Sequence, residues 1–164
     1  MIYELRDEFV VAADAETTWK FFCSIENLPR ITPPWLRFRL TEESTGAIGQ
    51  DTIFNYTIRW MNFPVRWRTR IIDWSPPTQF IDLQIRGPYT LWHHQHRFEH
   101  VTEGTHCLDR VIYQLPLRLI GSLTHALVVK RQLLEIFRYR RKVIAENLGW
   151  VKAIQQDVEA RRIR

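Results

Sequence analysis

The stretch YTLWHHQHRFEHVTEGTHCLDRVIYQL, residues 89–115, decides the fold. Its two halves alternate with a period of two on either side of Glu103-Gly104, which reads as two strands joined by a tight turn. Centred on that turn, Trp92 faces Leu115, His94 faces Tyr113, His96 faces Val111 and Phe98 faces Asp109. One face then carries Trp92, His94, His96 and Phe98, and the other carries His93, Gln95, Arg97, Glu99, Arg110 and Gln114. Arg97 opposite Arg110 is mildly unfavourable, but a one-residue slip buries Arg110, so the assignment of faces is firm.

Upstream, residues 51–61 alternate, with Phe54, Tyr56, Ile58 and Trp60 on one face. After a turn at Asn62-Phe63 the apolar face continues through Val65, Trp67, Thr69 and Ile71, pairing Trp60 with Val65, Ile58 with Trp67 and Tyr56 with Thr69. Arg59, Arg66, Arg68 and Arg70 take the outer face. A further strand spans residues 79–85, between the breakers Pro76-Pro77 and Gly87-Pro88. Residues 38–41 read as a short strand and residues 3–12 as the first strand. Asp14 is an N-cap for a helix over 15–23, and a second short helix over 25–30 stops before Pro33-Pro34.

Downstream lies one long amphipathic helix, residues 120–148. Ile120, Leu123, Leu127, Leu134 and Phe137 follow helical spacing, and Val129, Leu133, Ile136 and Val143 widen the stripe. Arg138, Arg140, Arg141 and Lys142 complement the dipole at its end, and Gly149 stops it. Residues 1–148 thus form one domain, followed by a basic tail, 149–164, read as a helical extension or a frayed end. About six to seven antiparallel strands with one apolar face, and a helix with one apolar stripe, bury each other in a two-layer α+β fold.

At 164 residues the chain suits a single domain. Its net charge of +5 invites a nucleic-acid reading, but the excess is local. Residues 130–164 hold ten basic and four acidic side chains, and the remainder holds thirteen and fourteen. The outer arginine stripe lacks interleaved exposed aromatics, so no nucleic-acid partner is expected. Cys23 and Cys107 make no disulfide framework, the first residues have charges where a signal peptide needs an apolar run, and no membrane span is present. A cytoplasmic location is expected.

Four phrases resemble the SRPBCC superfamily, and more closely its small bacterial polyketide cyclase/dehydrase-like proteins. They are residues 28–35 (LPRITPPW), 80–89 (FIDLQIRGPY), 92–98 (WHHQHRF) and 109–116 (DRVIYQLP). The resemblance spans residues 1 to about 147. It implies the helix-grip fold of START lipid-transfer domains and birch-pollen-allergen-like proteins. There a curved sheet wraps a C-terminal helix around a cavity that holds a hydrophobic ligand. It brings no shared catalytic residue, and it makes Trp35 a candidate lip of the entrance.

By strand parity Asp82, Gln84, His94, His96, Asp109 and Tyr113 share the inner face with Trp67, Thr69, Trp92 and Phe98. These, with Trp35, are the candidate ligand-binding residues. An apolar pocket with a few placed polar groups, of roughly 300 Å³ or more, is what a small-molecule site requires. The same polar residues would also serve as a satisfied network tying strands together. A cyclase or dehydratase reading assigns acid–base roles to His94, Asp109 and Tyr113. His94-x-His96 with Asp109 carries donors for zinc or iron, but a two-residue HxH bracketed by Trp92 and Phe98 is a weak signal. No metal and no cofactor are assigned. The expected partner is a lipid-, quinone- or polyketide-like molecule, in a monomer or homodimer. Val151, Ile154 and Val158 form a thin apolar stripe with basic flanks, which leaves peripheral membrane contact open beside a plain solvated helix end.

Overall fold

A computed structural model describes residues 1–41, 48–60, 63–116, 128–151 and 158–164. The strands are β1 (Tyr3–Val11), β2 (Arg39–Leu40), β3 (Ile53–Trp60), β4 (Phe63–Ser75), β5 (Gln79–Arg86), β6 (Leu91–Val101), β7 (Gly104–Gln114) and β8 (Glu159–Arg162). They form one antiparallel sheet in the order β2-β3-β4-β5-β6-β7-β1-β8. Two short helices, α1 (Ala15–Phe22) and α2 (Leu28–Ile31), follow β1, and the long helix α3 is Lys130–Leu148. The sheet grips α3, as expected, with one strand more than expected. The part of the expected helix before residue 128, with Ile120, Leu123 and Leu127, lies outside the described residues.

Local chemistry explains the elements. Asp14 caps α1 by accepting the Thr17 amide at 2.7 Å, and Trp19 and Phe22 are buried on its inner face. Register shifts between β4 and β5 at Arg68/Thr69 and Ile71/Asp73 mark irregularities of the kind that bend a strand. Helix α3 ends at Gly149 with φ 83°, and the amides of Ala12 and Ala13 bond the carbonyls of Gly149 and Leu148. The helix end is thereby tied to the end of β1.

Three expectations need correction. Both hairpins are offset by two residues. Trp60 pairs with Phe63 and Tyr56 with Trp67, while Trp92 pairs with Tyr113, His94 with Val111, His96 with Asp109 and Phe98 with Cys107. A slip of two keeps each side chain on its face, so apolar patterning alone is blind to it. Gly104 is not a turn residue but the first residue of β7, with φ 139°, where a Cβ would lie 2.1 Å from the Val11 carbonyl oxygen. Finally, the segment read as a helical extension or frayed tail contains β8, which pairs with the start of β1. Val158, assigned to a helical stripe, is instead buried against the core, and Arg161 bonds Glu4 at 2.9 Å.

The core divides into two clusters. One gathers Phe9, Trp19, Phe22, Phe80, Phe98 and Ile144 beneath α1, and the other gathers Leu5, Trp67, Trp92, Tyr113, Leu133 and Phe137. Ile144 is fully buried, and Ile144→Val removes one methyl group there. The expected cost is about 0.5–1.5 kcal/mol in urea unfolding. Among the described residues, no helix is long and apolar enough to cross a membrane.

Candidate functional site

A cavity of about 470 Å³ lies between the concave face of the sheet and α3. Its apolar wall includes Phe22 of α1, Ile31 of α2, Phe54 and Tyr56 of β3, Trp67 of β4, and Leu133 and Phe137 of α3. One wall is polar and holds Thr69, Asp82, His94, His96 and Arg140.

Strand register assembles that wall. Alternation along β6 turns His94 and His96 to the same side, with ring centroids 3.8 Å apart. Asp82 of β5 is the cross-strand partner of His94, and Asp109 of β7 is the partner of His96. His96 Nδ1 lies 2.5 Å from Asp109 Oδ1, and its Nε2 lies 3.2 Å from Asp82 Oδ2. His94 Nδ1 lies 3.3 Å from the same Asp82 oxygen, and its Nε2 lies 3.6 Å from Asp109 Oδ1. From α3, Arg140 brings Nε to 3.2 Å from Asp109 Oδ2, an ion pair without hydrogen-bond alignment. Phe80, which also borders the cavity, stacks on His96, with centroids 4.1 Å apart.

The charges divide accordingly. Burial opposes ionisation of Asp109, but His96, Arg140 and His94 outweigh it and hold the carboxyl well below its ordinary range. Burial likewise opposes the charge on Asp82, and the two imidazoles and Arg140 reverse the balance, so its carboxyl too is lowered. Burial, joined by the neighbouring His96, lowers His94, whereas at His96 the two carboxylates overcome burial and raise it. The wall therefore pairs a neutral-leaning imidazole with a cationic-leaning one. Cys23 also borders the cavity, and burial pushes its thiol up to about 12, so it holds no thiolate at neutral pH.

Of the residues singled out from sequence, Trp67, Thr69, Asp82, Trp92, His94 and His96 border the cavity. Five others lie elsewhere. Asp109 is buried behind the two imidazoles. The Gln84 side chain donates to the Tyr89 carbonyl at 2.6 Å and ties down the turn after β5. Phe98 packs against Trp19 and Phe22 in the core. Tyr113 is fully buried, with its ring stacked on Tyr3 at 5.5 Å. Trp35 is exposed and meets Tyr139 edge-on, while its neighbour Leu36 borders the cavity. His94, Asp109 and Tyr113 thus do not converge on one point in the cavity, because Tyr113 faces β1 at the far end of the hairpin. Arg140 was missed as a site residue, since a basic run late in a helix reads as dipole complementation. Its signal was spacing: Leu133, Phe137, Ile144 and Leu148 are buried, and 140–141 fills the gap in that stripe.

Known proteins agree with this architecture. A search of curated proteins finds no match. Among solved structures, a protein from Thermus thermophilus is 20% identical with a TM-score of 0.69, over 88% of this chain and 96% of that one. A START superfamily protein from Mycobacterium smegmatis is 15% identical with a TM-score of 0.66, over 89% and 97%. The Zhui aromatase/cyclase from a Streptomyces species is 14% identical with a TM-score of 0.62, over 92% and 100%. At these identities the likeness shows the fold alone. The model of the family described as polyketide cyclase/dehydrase and lipid transport matches residues 11–137, and the chain belongs to that family.

Proposed function

We propose that the protein binds a hydrophobic small molecule, lipid-, quinone- or polyketide-like, in the cavity between sheet and helix. The observation that carries this reading is a cavity of about 470 Å³ with apolar walls and one polar side. Such a space would cost stability if it stayed dry and empty, and its polar side gives an occupant a fixed orientation. The indole N–H of Trp67 adds a specific handle. It is buried, its ring borders the cavity, and Nε1 has no hydrogen-bond partner among the described residues. A ligand with an acceptor oxygen, such as a carbonyl, would satisfy it.

The probe for this reading is the apolar dye anilinonaphthalene sulfonate. It is expected to bind one per chain with enhanced fluorescence. Ile58→Trp, which fills the cavity, is expected to weaken that binding about tenfold or more, equivalent to about 1.4 kcal/mol. Dye binding that ignores Ile58→Trp would sink the reading.

Turnover of the ligand, as a cyclase or dehydratase, is the second reading. It is favoured by the neutral-leaning His94 in the polar wall of an otherwise apolar cavity, where an imidazole can accept a proton from a bound ketone. In that reading the chemistry falls to the Asp82–His94–His96 wall, and Tyr113 has no part in it.

A further inference from the structure

We infer that Asp82, His94 and His96 form a binding site for one divalent first-row transition-metal ion of the zinc or iron(II) class, set in the polar wall with an open coordination position toward the cavity. No metal is assigned from sequence, because a two-residue HxH bracketed by Trp92 and Phe98 is a weak signal, and the third donor weighed there is Asp109. The fold instead turns Asp82 toward the cavity and leaves Asp109 behind the imidazoles.

The donor atoms of the three side chains lie within 4.8 Å of one another. Asp82 Oδ2 sits 3.3 Å from His94 Nδ1 and 3.2 Å from His96 Nε2. A tetrahedral ion with bonds of about 2.0–2.1 Å has donor–donor edges of about 3.3–3.4 Å. Two edges of the site are therefore already near their required length, on strands whose cross-strand pairing holds them. Two imidazoles and one carboxylate are a donor set for zinc and for non-haem iron(II), and three protein donors leave a position free for a ligand atom.

The surroundings support the same reading. A metal-bound imidazole usually donates its other N–H to a carboxylate, which fixes its tautomer and orientation. Here Asp109 Oδ1 accepts from His96 Nδ1 at 2.5 Å, so a buried carboxylate orients that ring, and His94 Nε2 faces the same oxygen at 3.6 Å without a hydrogen bond. That leaves His96 Nε2 and His94 Nδ1, the two atoms nearest Asp82, as the ligating nitrogens. Arg140 anchors Asp109 from the helix side. An ion held here would sit beside the apolar cavity, where a ligand's carbonyl oxygen could take the open position. The competing account of the geometry is a proton on His96 bridging Asp82 and Asp109, and it predicts no stoichiometric metal binding.

The test is titration of the full chain, stripped with chelator, with Co²⁺ followed by visible d–d absorption. The expected result is one Co²⁺ per chain, displaced by one equivalent of Zn²⁺, with Zn²⁺ also raising the melting temperature. Asp82→Asn and His94→Gln are expected to abolish the d–d bands, and Asp109→Asn to weaken binding about 10–100-fold. His100→Gln, at the exposed end of β6, is expected to change nothing. The Asp82 side chain is 17% exposed, more than either histidine, and its amide is nearly isosteric, so Asp82→Asn keeps the test valid should a histidine variant not fold. Absent d–d bands in the wild type, or bands that survive Asp82→Asn, overturn the site. The metal site stands apart from the apolar-ligand reading: dye binding without cobalt overturns only the metal, and cobalt without dye overturns only the ligand reading.

Discussion

Asp109→Ala is expected to destabilise the fold by about 3–5 kcal/mol, the cost of breaking a buried ion pair from one side. Asp109 is 2% exposed and is the anion that His96, His94 and Arg140 share. Its removal leaves the Arg140 guanidinium, drawn inward to 16% side-chain exposure, without its ion-pair partner. It also frees His96 to lose the proton that the carboxylate holds on it. Asp109→Asn keeps the shape and one acceptor oxygen, so its cost is expected to be smaller. The carboxyl is held well below its ordinary range, so the wild-type advantage is present above the unfolded-state value and fades as pH falls through the folded-state one. Urea unfolding of wild type and both variants at neutral pH measures this. A loss under about 1 kcal/mol for Asp109→Ala would mean that Arg140 simply swings to water.

The faces of the strands were legible in the sequence, and the registers were not. Alternation in residues 92–98 and 107–113 carries the information that His94, His96 and Asp109 point inward, because one slip would bury arginine. It carries nothing about slips of two, and those decide which carboxylate meets which imidazole. The expected register opposed Phe98 to Asp109, and the actual one opposes His96 to it, which creates the buried pair at the heart of the wall. Gly104 fits the actual register. Its lack of a side chain accommodates the end of β1, a long-range contact that no local pattern announces. Parity likewise could not say what an inward residue meets. Tyr113 meets Tyr3 because β1 closes on β7, and Asp82 meets the cavity because β5 lies on the other side of β6. Strand β8 was hidden for a different reason. Of its four residues only Ala160 is apolar and buried, and its hold on β1 comes from backbone bonds and from Arg161 on Glu4. Arg140 and Arg141 were legible as charges on a helix. Their inward turn depends on acceptors supplied by β7 and β1.

Arg141 leads to the second large effect, which lies in pH. Its Nε is 3.4 Å from Asp7 Oδ1, and Asp7 is 1% exposed and directly opposite Asp109 across the β1–β7 pair. Burial pushes the Asp7 carboxyl up from 3.8 to about 7; Arg141 and Arg140 resist, and Asp109 and Glu8 add to the rise. The folded state therefore holds a proton on Asp7 that the unfolded chain has lost. Between those two values the native state binds more protons, so this contribution to stability is full below about pH 4 and declines until about pH 7. Each tenfold change in proton affinity is worth about 1.4 kcal/mol, so the whole swing is at most about 4 kcal/mol. In the wild type it is overlaid by His94 and His96, which are shifted in opposite directions, whereas Asp82 and Asp109 lose their contribution only below about pH 4. The difference between wild type and Asp7→Asn isolates it, since the amide cannot titrate and the other groups stay in place. The expected result is that the stability gap moves toward Asp7→Asn by several kcal/mol as pH rises from about 4 to about 8. The absolute offset depends on how Arg141 adapts to the amide, but the slope does not. Urea unfolding of both proteins across that range is the measurement, and parallel stability curves would show that Asp7 is ionised in the folded protein throughout.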